Sequence, residues 1–301
     1  MEDNFEITEL WKSFFLNITF CIRIPKHYVQ TVGRSTVPGA YDRSRKSAVV
    51  RSISSNYSKA LSSYFGTKTP NQEEAIGSHN AYITALRAHG TEVTVLPELP
   101  NFPDSCFVED TAVMVDGKAI IPNMGHPTRE GEQQAVMDHM SNFTEIVRMP
   151  KNAKLDGGDI VFFDDRYLVG LSTRTNKEGA SFLSTFIKED GYDVELINVP
   201  ETTLHLTTVC SSPREGTIIA AEGHLKENQI SHFAEEIIWI PNNESYASNT
   251  IGYSNDRLIV AGGFPKTKNI LQNEGFRLMS VDMNPIMQAD GSLTCLSVFT
   301  S

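Results

Sequence analysis

Glu109-Asp110-Thr111-Ala112-Val113-Met114-Val115-Asp116-Gly117-Lys118-Ala119-Ile120-Ile121-Pro122 holds two short apolar runs either side of an Asp-Gly pair. Asp-Gly between apolar runs is the strongest short signal for a β-hairpin, because both turn residues tolerate positive φ. Two acids stand immediately before the first run. The same pattern, without the same letters, returns four times. Asp156-Gly157-Gly158-Asp159 leads into residues 160–163, a turn at Asp164-Asp165-Arg166, then residues 167–172. His205-Leu206-Thr207-Thr208 leads into residues 209–212, a turn near Pro213-Arg214-Glu215-Gly216, then residues 217–223. Ser248-Asn249-Thr250-Ile251 precedes a turn at Asn255-Asp256 and residues 257–263. Leu293-Thr294-Cys295-Leu296 runs into residues 297–299, and the chain stops two residues later.

The first positions are Glu109, Asp156, His205, Asn249 and Cys295, spaced by 47, 49, 44 and 46 residues. A repeat of this length means a propeller or an array. Helical patterns separate the hairpins. Residues 72–89 have apolar spacing of i, i+3, i+4 with Gly90 as C-terminal cap, and residues 180–187 stop near Gly191. A further strand follows each helix, over 91–96, 145–149, 194–199, 237–240 and 277–281. Each unit is therefore hairpin, helix, strand. The last unit lacks its second strand, and residues 47–53 are positioned to supply it and close a ring, which leaves no long exposed sheet edge. The fold class is α/β, a five-bladed α/β propeller of pseudo-fivefold repeats around a central site. Equivalent positions then meet at the axis.

Composition limits the partners. The 301 residues are 40% apolar and 21% charged, with a formal charge of −11. That composition is globular, and the charge opposes nucleic-acid or acidic-membrane binding while favouring a small cationic substrate. Cys21, Cys106, Cys210 and Cys295 form no CxxC pair, so a reduced, cytoplasmic protein without disulfides or metal is expected. The run from Phe14 to Ile24 is broken by Asn17 and Arg23 and follows an acidic start, unlike a signal peptide or a membrane span. Residues 1–45 are expected to be a poorly ordered extension and residues 46–301 the catalytic propeller.

The blander readings of single residues are real. A lone cysteine in a strand is usually a small buried hydrophobe, and Cys106 and Cys210 keep that reading. A lone histidine is usually a hydrogen-bonded structural residue. Glu109-Asp110 could be loop acids, and Gly157-Gly158 a tight turn that needs unusual backbone angles. Their common phase in the repeat is what joins them. A thiolate is the best protein nucleophile near neutral pH. Paired carboxylates match the planar fork of a guanidinium. A histidine can protonate a departing amine and deprotonate a water. Cys295 and His205 are the expected nucleophile and acid/base. Two arginines, Arg129 and Arg174, suit a substrate carboxylate, and Asp104 an ammonium.

The segments PDSCFVEDTAV (103–113), KLDGGDIVFF (154–163), GLSTRTNKEGA (170–180), LHLTT (204–208) and DGSLTCLSV (290–298) closely resemble the dimethylarginine dimethylaminohydrolase family of the guanidino-group-modifying, or pentein, superfamily. The resemblance runs from Ser47 to Phe299. It implies hydrolysis of N-omega-methylated arginine to citrulline and a methylamine through a covalent cysteine intermediate, without a cofactor. It implies Cys295 and His205 as catalytic residues, Asp110 and Asp156 on the guanidinium with Glu109 in support, and Asp104, Arg129, Arg174 and the Ala289 backbone on the amino-acid end. Residues 54–69 match the family's lid only in position, with Leu61 and Phe65 as candidates to contact substrate. Arginine deiminases are the nearest alternative, but they carry an aspartate two positions after the histidine, where this chain has Thr207. A catalytically silent propeller that binds arginine derivatives is the alternative of another class.

Overall fold

The computed structural model describes residues 45–301. The described chain opens on β1 (Ser47–Arg51), α1 (Gln72–Ala88) and β2 (Glu92–Leu96), with β1 and β2 parallel and in register from Ser47↔Glu92 to Arg51↔Leu96. The Asn71 side chain caps α1 by accepting from Glu74 N, and Gly90 ends it at a φ of 97°. Four complete units follow. They are β3 (Val113–Val115), β4 (Lys118–Ile121), α2 (Gln133–Met140) and β5 (Glu145–Arg148); then β6 (Ile160–Phe163), β7 (Arg166–Leu171), α3 (Lys177–Glu189) and β8 (Asp193–Asn198). The next two are β9 (Cys210–Arg214), β10 (Thr217–Ala221), α4 (Glu227–Ile230) and β11 (Glu236–Ile240), and β12 (Ile251–Tyr253), β13 (Arg257–Ala261), α5 (Pro265–Asn273) and β14 (Arg277–Val281). In each, the first two strands are antiparallel and the last two parallel, giving a three-stranded sheet. Asp116 and Gly117 have φ of 45° and 76°, and Asn255 and Asp256 of 64° and 55°, so the hairpin turns take the left-handed angles their sequences predict.

After α6 (Asn284–Met287), the chain ends in β15 (Val298–Phe299), which pairs antiparallel with β1 through Ala48↔Phe299 and Val49↔Val298. The fifth sheet is thus built from the two ends of the described chain, as the missing strand predicts. The closing strand ends at Arg51 rather than residue 53.

The middle strand of each sheet explains why those runs are continuously apolar. Strand side chains alternate between faces. Ala119 and Ile121 enter one hydrophobic cluster and Ile120 the next. Ile218 and Ala220 are likewise separated from Ile219, and Leu258 and Val260 from Ile259. Each blade therefore gives one face to each neighbour, and the five clusters among the described residues fill the five seams of the ring. Outer strands β2 and β14 are largely exposed. No helix of the described residues is long and apolar enough to cross a membrane.

Candidate active site

The repeat's first positions precede the hairpin strands, as their sequence pattern predicts. They lie in the turns just before them. Val108–Thr111, Gly157–Asp159 and Thr294–Leu296 are 3-10 turns, and Asn249 closes the 3-10 segment Asn242–Ser248. A tight turn tips its side chains towards the axis, where a strand would have aimed alternate ones into the seams. Asp104, Asp110, Arg129, Arg174, His205 and Cys295 line one cavity, with Leu61 and Ala289 at its wall. Asp156 is fully buried behind His205.

His205 Nε2 bonds Asp156 Oδ2 at 3.1 Å, while Nδ1, also buried, has no hydrogen-bond partner and lies 3.8 Å from Asp110 Oδ1. Burial alone would lower the histidine's pKa, but Asp110, the Asp156 hydrogen bond and Asp159 outweigh it and push it up to about 9. Asp156 shows the reciprocal effect. Burial opposes its charge, but His205, Arg129 and the Gly125 amide bring it down to about 2. The resting site is therefore an imidazolium held between carboxylates. Cys295 Sγ lies 3.2 Å from Ser292 Oγ, and burial, then the charges of Glu109 and Asp110, push its thiol well above its ordinary value.

Gly157 and Gly158 do not serve unusual backbone angles, which corrects their sequence reading, since neither has positive φ. They allow close approach. A Cβ on Gly157 would lie 2.1 Å from Glu109 O, and one on Gly158 2.6 Å from His205 Nδ1 and 2.8 Å from Asp110 Oδ1. Asp159, overlooked in the sequence beyond its turn, is fully buried and accepts from Ser172, Thr175 and Leu206 N, which fixes the His205 turn.

Arg129 needs correction as a free carboxylate ligand. Its Nη1 donates to Asp110 Oδ2, its Nε and Nη2 to Glu132 Oε2 at 3.0 and 2.8 Å, and Nη2 also to Phe107 O at 3.1 Å. It faces the cavity but is committed to orienting Asp110, whose Oδ1 accepts from Gly158 N at 2.9 Å. Glu132 carries no sequence signal beyond its i, i+3 spacing from Arg129. Arg174 is engaged more lightly, by one bond from Nη1 to Asp156 Oδ2 at 3.4 Å. Glu109 takes a third position. Its Oε2 accepts from Thr294 Oγ1 at 2.9 Å and Thr207 Oγ1 at 3.4 Å, and burial, then Asp110, push its pKa up to about 8. It lines a separate cavity of about 190 Å³ shared with Thr207 and Thr294. Thr207 therefore turns away from the substrate cavity, and cannot select substrates by touching them.

The segment over the site is pinned by carboxylates. Asp290, at a φ of 59°, accepts from the backbone amides of Ser63, Tyr64, Phe65 and Gly66, the last two at 2.7 and 3.0 Å. Gln288 Oε1 takes Thr67 N and Lys68 N, and Asp104 Oδ1 takes Leu61 N at 3.0 Å. Leu61 reaches the cavity. Phe65 does not line it, and packs edge-on against Tyr246 with ring centroids 5.2 Å apart. In this closed arrangement the cavity measures about 20 Å³, room for one water.

Asp110, Asp156 and His205 also present ligand atoms within 4.8 Å of one another. Those carboxylates already hold Arg129, the Gly125 and Gly158 amides and His205. The cluster is arranged for planar, hydrogen-bonding cations.

A cysteine, a histidine and buried carboxylates on the axis of a five-bladed α/β propeller define the pentein class. The chain belongs to the N,N-dimethylarginine dimethylhydrolase family in its eukaryotic form, which matches residues 59–298. It is 32% identical to the N(G),N(G)-dimethylarginine dimethylaminohydrolase of Pseudomonas aeruginosa over 76% of this chain and 89% of that one. A cysteine-to-serine mutant of the Pseudomonas aeruginosa enzyme complexed with citrulline superposes with a TM-score of 0.78 at 30% identity, over 84% of this chain and 98% of that one. A histidine-to-glycine dimethylarginine dimethylaminohydrolase, as an adduct with S-methyl-L-thiocitrulline, gives 0.78 at 29% identity, over 84% of this chain and 98% of that one.

Proposed function

We propose that this protein hydrolyses N-omega-methylated arginine to citrulline and a methylamine through a covalent intermediate on Cys295. One observation carries the reading: a nucleophilic thiol, a histidine held as its cation and two anchored carboxylates share the axis of a chain of this family. Asp110 and Asp156 receive the guanidinium. Its positive charge offsets the acids that hold the thiol protonated, so thiolate forms when substrate is bound and the thiol proton passes to solvent. The thiolate attacks the guanidinium carbon. His205 gives its proton to the departing methylamine, the C–N bond breaks, and a thiouronium remains on sulfur. Neutral His205 then takes a proton from water, hydroxide adds to the same carbon, and the C–S bond breaks to release citrulline. Nδ1 is buried without a hydrogen-bond partner, so its proton is the one not committed to Asp156.

At the amino-acid end, Arg174 takes the carboxylate, and Asp104 with the Ala289 backbone takes the ammonium. Substrate ammonium would compete with Leu61 N for Asp104, coupling occupancy to the lid. Cys106, Cys210 and Cys295 are free thiols, which suits the reducing cytosol. The test is citrulline release from asymmetric dimethylarginine, monomethylarginine and arginine under matched conditions. The methylated substrates are expected to give kcat/KM about tenfold or more above arginine, only about 1.4 kcal/mol of transition-state discrimination. Arginine as the best of the three would replace this reading with a deiminase.

A further inference from the structure

Five turns meet at the axis, and a closed circuit of hydrogen bonds joins them. Asp110 Oδ1 accepts from Gly158 N at 2.9 Å, and Gly158 O from Thr207 N at 2.9 Å. Thr207 O accepts from Asn249 Nδ2 at 2.6 Å, and Asn249 Oδ1 from Thr294 N at 3.1 Å. Thr294 Oγ1 accepts from Asn249 Nδ2 at 2.9 Å and donates to Glu109 Oε2 at 2.9 Å, and Glu109 is joined covalently to Asp110. The circuit visits every blade once.

Two links depend on a single side chain. Thr207 stands two residues after His205, and Thr294 immediately precedes Cys295. Glu109 Oε2 accepts from both threonine hydroxyls, but Asn249, 1% exposed, is the group in the circuit that bonds both backbones, at Thr207 O and Thr294 N. The carboxamide is suited to this place because it offers a donor and an acceptor in one plane. An aspartate would turn the donor into a second acceptor facing Thr207 O, and an alanine would leave Thr207 O and Thr294 N without that partner.

We propose that Asn249 is a positioning residue that sets the Cys295 turn against the His205 turn. The proposal rests on the reading of Cys295 as nucleophile and His205 as its acid/base. Substrate contacts at Asp104, Asp110, Asp156 and Arg174 do not pass through Asn249. Its loss should therefore affect the chemical step and leave binding largely intact. A misplacement of about 1 Å between reacting groups can cost on the order of a hundredfold in rate.

Asn249→Ala and the shape-preserving Asn249→Asp test this in the full chain. In at least one folded variant, kcat on asymmetric dimethylarginine should fall about tenfold or more while KM stays within about threefold. Alkylation of Cys295 by iodoacetamide at pH 7, read by mass spectrometry on its peptide, should not speed up, since the turn is re-aimed while the thiol stays buried. A residue that merely braced the fold would lower the melting temperature, leave kcat per folded molecule unchanged and speed alkylation by exposing the thiol. That result overturns the proposal. If the wild type releases no citrulline from any of the three arginines, the substrate reading fails, and the alkylation comparison still decides the role of Asn249.

Discussion

At the scale of residues, the site is a set of charges that hold one another in place. His205 keeps its proton through neutral pH because Asp110, Asp156 and Asp159 outweigh burial, with a pKa of about 9 against an ordinary 6.5. The sign follows. A histidine raised in the folded state contributes stability fully below its unfolded pKa, and loses that contribution as pH rises through about 9. The acid needed for the leaving group disappears over the same upper limb, so kcat/KM should fall there. Asp159→Asn removes one of the charges supporting the proton without touching the cavity wall, and should move that falling limb to lower pH. An unshifted limb would exclude Asp159 from the electrostatics. The two arginines separate in the same way. Arg174→Ala should weaken binding of free methylarginine and matter much less for a small methylguanidine lacking a carboxylate. Arg129→Ala should damage both, because it releases Asp110 and leaves Glu132 an unpaired buried acid, a loss of about 3–5 kcal/mol in comparable cases. Equal profiles for the two variants would contradict the division. The sequence identified both arginines by their place beside the repeat but could not divide them, since spacing gives phase around the axis and not the acceptor each guanidinium finds.

At the scale of elements, the 3-10 turns are the working parts, and the strands carry them. The strands and their order were legible because the middle strand of every blade is buried on both faces, leaving unbroken apolar runs between turn residues. The turns were placed correctly ahead of the strands, but their 3-10 form was not legible, because three or four residues are too few to show a period. The lid was least legible. Between residues 54 and 69 its only regular piece is the 3-10 turn Tyr57–Lys59, and its backbone amides are taken by Asp290 and Gln288, more than two hundred residues away. No local pattern encodes such a contact. Asp290→Gly tolerates the positive φ but removes the carboxylate. It should raise KM for methylarginine and speed proteolytic cleavage within residues 61–68. Protease resistance equal to the wild type would show that Asp290 does not hold the lid.

At the scale of the whole molecule, the ring is closed by the two ends of the catalytic unit. Ser47 exchanges backbone bonds with Thr300 and Ser301, and Val298 is buried in the seam between the fifth and first blades. Removing residues 298–301 should destabilise the protein by about 3 kcal/mol or more, lowering Tm on the order of 10 °C. The extension assigned from composition to residues 1–45 lies, but for Arg45, outside the described residues. We propose that it is separate from the catalytic unit, and its deletion through residue 42 should leave Tm and kcat nearly unchanged. A truncated chain that fails to fold would join it to the core. The ring also explains how residues spaced through nearly two hundred positions form one site. Each turn is placed by its own blade, and the blades by their shared seams.

The central claim is that Cys295 carries the substrate. The direct measurement is mass spectrometry of the Cys295 peptide after acid quench during turnover of asymmetric dimethylarginine, with His205→Asn as a slowed companion. The account predicts a thiouronium adduct on Cys295 in the wild type, greater accumulation in the variant if water attack becomes the slower step, and neither adduct nor citrulline in Cys295→Ser. Citrulline release by Cys295→Ser at a rate near that of the wild type, with Cys295 unmodified in the wild type throughout, would contradict it.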